Sequence, residues 1–258
     1  GAPEAYERFV SFEELPPGED DEELAKSLAT FESADEAARI AVAQEMALHP
    51  VQVAVKALTS MVIEDAEPSV RAAAVSSLGS IDHESVFSPV LIALSDESRI
   101  VRAAAARTLT SLHFDRADAY VRVSETADPE MLNRVAQACM STGIVAQAVP
   151  RLASEDRRQA FEAFSLFSLL ARAEETQPII DAIANDRDEE VRLCAVRVLN
   201  MAGQSSVVPQ LRELAAREDM PENVRTAILE TMYKLDQSQP LMDLNVGDNE
   251  PAFLHNSP

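Results

Sequence analysis

A frame of residues that recurs along the chain limits most strongly what this sequence can fold into. An Asp is followed five residues later by Val-Arg, and a Leu or Met stands eight residues after the Val. The frame begins at Asp65, Asp96, Asp186 and Asp219, with spacings of 31 and 33 residues within the two neighbouring pairs. A period of roughly 20–50 residues is typical of repeat proteins, in which each unit buries its apolar face against the next unit. The chain is therefore predicted to be a stack of such units.

Each unit predicts two helices. In the second, which we call helix B, the Val, the following Ala residues and the Leu lie at i, i+4 and i+8, on one helix face. Another apolar run of helical length, helix A, precedes each Asp, as in Val51–Val62 and Thr176–Ala184. Glycines stand soon after three B helices, where a left-handed C-cap favours this residue; they are Gly79, Gly143 and Gly203. The pattern therefore predicts pairs of helices joined by short turns.

Three weaker copies of the frame fill the remaining chain. Leu132 and Phe161 take the Val position in the stretch between Val101 and Val191, and Ala38 takes it upstream. With these copies, the sequence predicts an all-α fold, an α-α superhelix (solenoid) of about seven stacked two-helix repeats. We expect one continuous core built mostly of Ala, Leu and Val, because aromatic residues make up only 5% of the chain.

The frame, its Ala-rich stretch and its Leu resemble bacterial HEAT repeats, including the short type found in phycobilisome lyases. The resemblance covers about residues 35–235 and implies a solenoid of HEAT-like repeats, a fold that serves many functions. We expect an acidic linker or disordered N-terminal segment (1–21), the HEAT-repeat solenoid (22–235) and an extended or disordered C-terminal tail (236–258). Apolar residues of the tail near Leu241 are candidates for a cap on the last repeat.

The recurring Asp and Arg residues are predicted to have a structural role. An Asp in the turn between helices A and B accepts hydrogen bonds from free backbone N–H groups and favours the positive end of helix B. The Arg follows at a constant offset, within reach of the turn of a neighbouring unit when the units stack. We therefore expect an Asp–Arg ladder along the solenoid, formed by Asp65, Arg71, Asp96, Arg102, Asp186, Arg192, Asp219 and Arg225.

A partner is expected to bind in the concave groove lined by the B helices. Positions two and six residues after the frame Val lie about 180–240° away from the core direction. Four side chains at these positions form the predicted partner-binding row: Arg107, Arg134, Phe167 and Arg197. We predict that the row recognises an acidic segment, either of a partner or of the chain's own N-terminal stretch. The alternative is that these Arg residues are solvated side chains that stabilise their helices.

The charge of the chain excludes some partners. The chain has 22 Lys and Arg residues against 44 acidic residues, a formal net charge of −22. Nucleic acids and anionic membrane surfaces bind through Lys and Arg, so both are disfavoured, and no apolar run is long enough for insertion into a bilayer. The expected partner is therefore a protein or peptide, and the sequence leaves its identity and the oligomeric state open.

No residue pattern predicts a catalytic site. The sequence has no HExxH or paired Cys-x-x-Cys for a metal and no glycine-rich phosphate loop, so neither a metal nor a cofactor is expected. The chain is therefore interpreted as a non-catalytic protein-interaction scaffold. Two alternatives stay open: a bilin or tetrapyrrole lyase-like accessory factor, which rests on the family resemblance alone, and a docking module of a longer chain.

The two cysteines favour a cytoplasmic protein. Cys139 and Cys194 lie far apart in apolar helical segments, so each is interpreted as a small core residue and not as half of a disulfide. The first residue is Gly1 and not Met, which leaves open a native signal or anchor upstream.

Overall fold

The chain folds into a run of short α-helices. A computed structural model describes residues 13–31 and 35–237, and the predicted C-terminal tail with Leu241 lies outside this part. The described residues form fourteen α-helices and contain no β-strand. The helices are α1 (Glu22–Phe31), α2 (Glu36–Met46), α3 (Gln52–Glu64), α4 (Pro68–Ile81), α5 (Phe87–Ala93), α6 (Arg99–Ser111), α7 (Arg116–Thr126), α8 (Pro129–Ser141), α9 (Ile144–Ala148), α10 (Arg157–Arg172), α11 (Gln177–Asn185), α12 (Glu189–Ala202), α13 (Val208–Ala215) and α14 (Glu222–Gln237).

The helices form seven consecutive pairs. Odd-numbered helices are the A helices and even-numbered helices are the B helices, so the described part of the chain holds seven two-helix repeats. Short 3-10 turns precede α5 (Glu84–Val86) and α13 (Ser205–Val207) and follow α9 (Val149–Ala153). The weak copies of the frame also correspond to B helices, which are α2, α8 and α10. The predicted all-α solenoid of about seven repeats is therefore confirmed.

Polar caps and a glycine set several helix ends. Asp115, Asp128 and Asp188 stand immediately before α7, α8 and α12, and each accepts a hydrogen bond from a backbone N–H of the first turn. Such an N-cap satisfies a donor that has no partner inside the helix. Gly203 ends α12 with a φ of 67°, a left-handed conformation that glycine adopts without strain.

Gly79 has a different role from the predicted one. It lies inside α4, whose C-cap is Asp82 with a φ of 47°, so the prediction of a C-cap at Gly79 is wrong. A Cβ atom at this position would stand 2.7 Å from Cγ2 of Thr108 on α6. The missing side chain therefore lets α4 and α6 approach closely, and Thr108 Oγ1 donates a hydrogen bond to the carbonyl of Val75 at 3.4 Å.

The B helices form two stacks. α4 packs on both α2 and α6, and α12 packs on both α10 and α14. Between these stacks the two helices of the repeat α7–α8 exchange places. The A helix α7 packs against the B helix α10, and the B helix α8 packs against the A helix α5. We call α1–α6 the N-terminal stack and α7–α14 the C-terminal stack. The exchange divides the solenoid after α6.

The apolar core is divided in the same region. One cluster is formed by α1–α6, and a second is formed by α5 together with α7–α14. Val90 of α5 belongs to the first cluster, whereas Phe87 belongs to the second and makes edge-to-face contacts with Phe114 and Tyr120. The single continuous core that we expected is therefore two clusters that share α5.

The burial of one repeat position marks where each stack ends. The position five residues after the frame Val faces the next B helix, and it is buried at Val75 of α4 and Val196 of α12, which are 0% and 1% exposed. The same position is exposed at Ala106 of α6 and at Leu229 of α14. Among the described residues no B helix follows α14. The exposure of Ala106 indicates that α6 likewise ends a stack.

Candidate interaction surface

An open groove crosses α2, α4 and α6 on the B-helix side of the N-terminal stack. Its volume is about 410 Å³, and most of the residues that line it are Ala and Ser. Gln44, Ser76 and Ser80 supply polar groups, and Arg107 is the single charged residue among the described residues of the lining. Because these side chains are short, a chain bound in the groove would come close to the helix backbones.

Arg107 lies in this groove and is exposed. Its guanidinium makes no ion pair with any residue in the described ranges 13–31 and 35–237. Arg197 is also exposed, but it lies on α12 in the C-terminal stack, where Nη1 is 3.6 Å from Sγ of Cys194. The two residues therefore belong to different stacks, and only Arg107 lines the groove of α2, α4 and α6.

Arg134 does not join the predicted row. It lies on α8, which packs beside the A helix α5, and it borders a cleft whose other wall includes Lys56 and Glu64 of α3. Its Nη2 atom pairs with Glu130 at 2.8 Å. The prediction assumed that every second helix of a pair faces the groove, and the exchange of α7 and α8 breaks this rule for Arg134.

Phe167 is fully buried, so its predicted place in the groove is wrong. Residues 163–167 of α10 are all buried, and five consecutive residues cover more than one full turn of a helix. α10 packs against α7, α12 and the 3-10 turn Val149–Ala153. These neighbours enclose α10 at this turn, so no face of the helix is left open at Phe167.

The N-terminal stack contains two Asp–Arg pairs between successive repeats. Arg71 donates to both carboxylate oxygens of Asp96 at 2.9 and 3.0 Å, and its Nη1 donates to the main-chain carbonyls of Asp65 and Ala66. Arg39 makes the equivalent pair with Asp65 at 2.9 and 3.2 Å. Hydrogen bonding to the Asp raises the pKa of both guanidinium groups. The predicted list omitted Arg39, although this residue stands in the Arg position of the first frame.

The other frame Arg residues bind main-chain carbonyls. Arg102 donates to the carbonyls of Asp96 and Glu97, the same contacts that Nη1 of Arg71 makes in its own turn. In the next repeat the Asp is displaced by one residue, to Asp128, and caps α8. Arg192 donates to the carbonyls of Ile183 and Ala184, and Arg225 to those of Arg217 and Met220.

The remaining two frame Asp residues are engaged locally. Asp219 pairs with Arg217 at 2.7 Å, which lowers the pKa of the Asp219 carboxyl. Asp186 accepts the N–H of Asp188. Among the described residues, Asp65 therefore pairs with Arg39 and Asp96 with Arg71. The remaining members of the predicted ladder make no Asp–Arg pair between successive frames; they are Arg102, Asp186, Arg192, Asp219 and Arg225.

Residues 13–21, which we call the strap, lie along an edge that runs from α3 of the N-terminal stack to α7 of the C-terminal stack. Glu14 accepts hydrogen bonds from Nη2 of Arg122 on α7 at 2.8 Å to each carboxylate oxygen. At the other end, Asp21 caps α1 and contacts Nδ1 of His49 at 2.8 Å. The hydrogen bond from the N–H of Leu24 is the largest cause that lowers the pKa of Asp21.

The strap folds back on the solenoid, as one of the predictions had it, but it binds at a different place from the predicted groove. The acidic N-terminal stretch was one candidate ligand for the Arg row, and residues 13–21 do fold back on the solenoid. They reach Arg122 and not Arg107, Arg134 or Arg197. Arg122 was missed because it lies in α7, a helix without the recurring frame. The division into 1–21, 22–235 and 236–258 stays a prediction, since the described part stops short of both termini.

Three further features of the described residues concern metal binding, membrane insertion and thiol reactivity. Throughout residues 13–31 and 35–237, no group of three or more His, Cys, Asp and Glu residues is placed to hold a metal ion. No helix in this part of the chain has the length and apolar character needed to cross a membrane. Cys139 and Cys194 are free and buried, and burial raises the pKa of Cys139 to about 12.

These features define an all-α solenoid of two-helix repeats. The sequence model of the family described as HEAT repeats matches residues 22–110 and 176–249, which is more than half of the chain. The chain therefore belongs to the HEAT-repeat family. The stretch between the two matched ranges contains α7, α8, α9 and α10, so it includes the repeat whose two helices exchange places.

Comparison with other proteins adds two distant similarities of fold. No curated protein matches the sequence. Among solved structures, the chain is similar to the complex of CpcE and CpcF of phycocyanin lyase from Nostoc sp. PCC7120, at 17% identity over 88% of this chain and 100% of that chain (TM-score 0.34). It is also similar to an engineered protein, at 15% identity over 84% of this chain and 69% of that chain (TM-score 0.31). Similarities this low carry no argument about function.

Proposed function

We propose that the protein is a non-catalytic scaffold that binds an acidic segment of a partner protein in the groove of α2, α4 and α6. HEAT repeats support a role in protein interaction, because stacked repeats present long continuous surfaces to a partner. The observation that carries the choice of surface is Arg107, an exposed guanidinium without an ion pair among the described residues of a chain with twice as many acidic as basic residues.

The electrostatics of the groove favour a carboxylate ligand. The other described residues of the lining are uncharged, so a carboxylate that approaches Arg107 meets no like charge from the groove wall. A guanidinium presents several N–H donors in a planar fork that fits a carboxylate with two hydrogen bonds. Arg107 would therefore anchor an Asp or Glu side chain of the partner.

The small side chains of the groove favour binding of a peptide segment. Ala72, Ala73 and Ala104 leave the surfaces of α4 and α6 low, and Gln44 adds an amide at the rim. Ser76 and Ser80 donate their hydroxyls to carbonyls one turn earlier, so their oxygens stay free to accept hydrogen bonds from a ligand. A single segment lying across three helices would contact all of these groups.

The test compares two charge reversals on the same helix. Arg107→Glu changes the groove, whereas Arg99→Glu reverses an exposed charge at the start of α6, outside the groove lining. Each protein carries a photo-crosslinking residue in place of Ser76 and is mixed with lysate of the source organism. We expect one crosslinked partner that Arg99→Glu retains and that Arg107→Glu loses by at least about tenfold, since a charge reversal removes one attraction and adds one repulsion.

A control crosslinker replaces Ser60, an exposed residue of the A helix α3. The proposal predicts that this position yields much less of the same partner than Ser76. A partner crosslinked equally by the Arg107→Glu and Arg99→Glu proteins contradicts the groove as the binding surface. Preferential crosslinking through Ser60 contradicts it as well, because the partner would then lie on the A-helix side.

A further inference from the structure

The strap occupies an edge between α3 and α7 in the way that a bound peptide would. We infer that this edge is a second binding site, which takes an extended acidic segment of a partner protein, and that residues 13–17 are an occupant supplied by the chain itself. The edge is formed by the start of α3, by His83 before α5 and by Arg122 of α7. It shares no residue with the groove of α2, α4 and α6.

The edge holds the strap mainly through main-chain atoms. The backbone N–H groups of Gln52 and Val53 donate to the carbonyls of Pro16 and Pro17 at 2.8 and 3.2 Å. Nε2 of Gln52 donates to the carbonyl of Leu15 at 2.7 Å. Recognition of this kind depends little on the side chains of the bound segment, as in other peptide sites that use main-chain hydrogen bonds.

The start of α3 is built to receive such carbonyls. The first N–H groups of a helix have no partner inside the helix, and a side chain at the N-cap usually accepts from one of them. Val51 occupies the N-cap of α3 and supplies no side-chain hydrogen bond. The carbonyls of Pro16 and Pro17 therefore take the place of a capping side chain. His83 extends the edge, because its Nε2 donates to the carbonyl of Glu13 at 2.7 Å.

Arg122 gives the edge its preference for an acidic ligand. The residue is 8% exposed, and Nη2 holds both carboxylate oxygens of Glu14 at 2.8 Å. Glu84 lies 3.8 Å from Nη1 on the other side, and burial is the largest cause that raises the pKa of its carboxyl. A buried guanidinium is costly unless carboxylates satisfy it, so a ligand without an acidic residue at the Glu14 position is disfavoured.

The strap itself is held by few apolar contacts. Within residues 13–17 only Leu15 is partly buried, and the side chain of Glu14 is 59% exposed. Segments with little apolar burial open at low free energy compared with packed helices. Exchange of the strap for another segment therefore leaves the helices in place. Two consecutive prolines also limit the backbone freedom that such a segment loses on binding.

The experiment uses full-length chains and a fluorescent synthetic peptide of residues 13–21. In the Glu14→Lys chain the strap meets Arg122 with a like charge, which weakens the built-in occupant. We expect the peptide to bind the Glu14→Lys chain at least about tenfold more tightly than the wild-type chain, measured by fluorescence anisotropy. A peptide carrying Glu14→Lys should bind neither chain. Because residues 13–21 form no helix, the helicity of the Glu14→Lys chain should match the wild type.

Two further chains complete the test: one reverses the charge at Arg122 to match the Glu14→Lys peptide, and the other changes Arg107 in the groove. The Arg122→Glu chain should bind the Glu14→Lys peptide in preference to the wild-type peptide. The Glu14→Lys/Arg107→Glu chain should bind the wild-type peptide as tightly as the Glu14→Lys chain does, which separates the edge from the groove. Equal binding of both peptides to the Glu14→Lys chain, or binding of neither, overturns the inference. These results stand even if the Arg122→Glu chain does not fold.

Discussion

The N-terminal and C-terminal stacks fasten neighbouring repeats in different ways, although both contain the Asp-x4-Val-Arg frame. In the N-terminal stack, Arg39 and Arg71 each reach the Asp of the next repeat. In the C-terminal stack, Arg192 donates to carbonyls of its own repeat and contacts Sδ of Met220 at 3.4 Å, while Asp219 is already paired with Arg217. The frame therefore specifies an Arg that docks on a turn. An ion pair to the next repeat additionally needs an Asp that is not already paired with another Arg, as Asp219 is with Arg217.

The largest expected effect breaks the contact between B helices inside either stack. Val75→Asp and Val196→Asp each place a carboxylate at a position that the next helix covers, and burying a charge without a partner is strongly destabilising. Each should lower the free energy of unfolding by about 4 kcal/mol or prevent folding. Leu229→Asp is the matched control, because the same repeat position is 51% exposed in α14. Chemical denaturation of the three variants gives the comparison, and a loss of several kcal/mol at Leu229 contradicts it.

The second prediction compares a frame Arg that makes an ion pair to the next repeat with one that binds only main-chain carbonyls. Arg71→Ala leaves Asp96 as a largely buried carboxylate without its partner, which should cost about 3 kcal/mol of stability. Arg192→Ala removes hydrogen bonds to two carbonyls and no ion pair, so the expected loss is about 1–2 kcal/mol. Urea unfolding of both variants measures the difference. Equal losses would mean that the Asp96 pair adds nothing to the carbonyl contacts.

A smaller effect is expected where α4 and α6 approach closely. Gly79→Ala gains about 1 kcal/mol of helix propensity, but its Cβ would stand 2.7 Å from Cγ2 of Thr108. We expect a net destabilisation of about 1–2 kcal/mol, and the loss should shrink when Thr108→Ala removes the opposing methyl. Asn200→Ala tests the same repeat position of α12, where an ordinary side chain already fits, and should be nearly neutral. The Tm values of the two variants, measured by thermal denaturation, give the comparison. A Gly79→Ala protein more stable than the wild type would contradict the close approach of α4 and α6.

The smallest perturbation is chemical labelling of the thiols. Cys139 and Cys194 both lie in the C-terminal stack, and burial raises the pKa of each thiol, for Cys139 to about 12. The thiolate is the reactive form, so labelling by a disulfide reagent at pH 8 should be slow in the native protein and proceed through local opening. Mild destabilisation of α12, as by Val196→Ala, should speed labelling more than Val75→Ala does. The opposite order would contradict separate opening of the two stacks.

The recurring frame predicted the helices but not how all of them pack. Spacing of apolar residues located even the weak repeats, because burial of one helix face requires that spacing whatever the neighbour is. It placed Arg107 correctly as exposed. It failed at Phe167, because neighbouring helices enclose this turn of α10 and leave no groove face. It also failed at Arg134, since the exchange of α7 and α8 depends on contacts between distant helices. The folding back of the acidic N-terminal stretch was one expectation, but its docking site was missed, because Glu14 and Arg122 are 108 residues apart and neither belongs to a repeated pattern.

The division of the solenoid after α6 can be tested by one pair of neighbouring substitutions. Ala105 is buried and Ala106 is exposed at the end of the N-terminal stack. Measured by urea denaturation, Ala105→Asp should therefore lose several kcal/mol, whereas Ala106→Asp should lose less than about 1 kcal/mol. Both changes place the same residue on the same helix, so intrinsic helix propensity is matched. A loss at Ala106 as large as that at Ala105 would mean that another helix covers α6 and that the solenoid is one continuous stack.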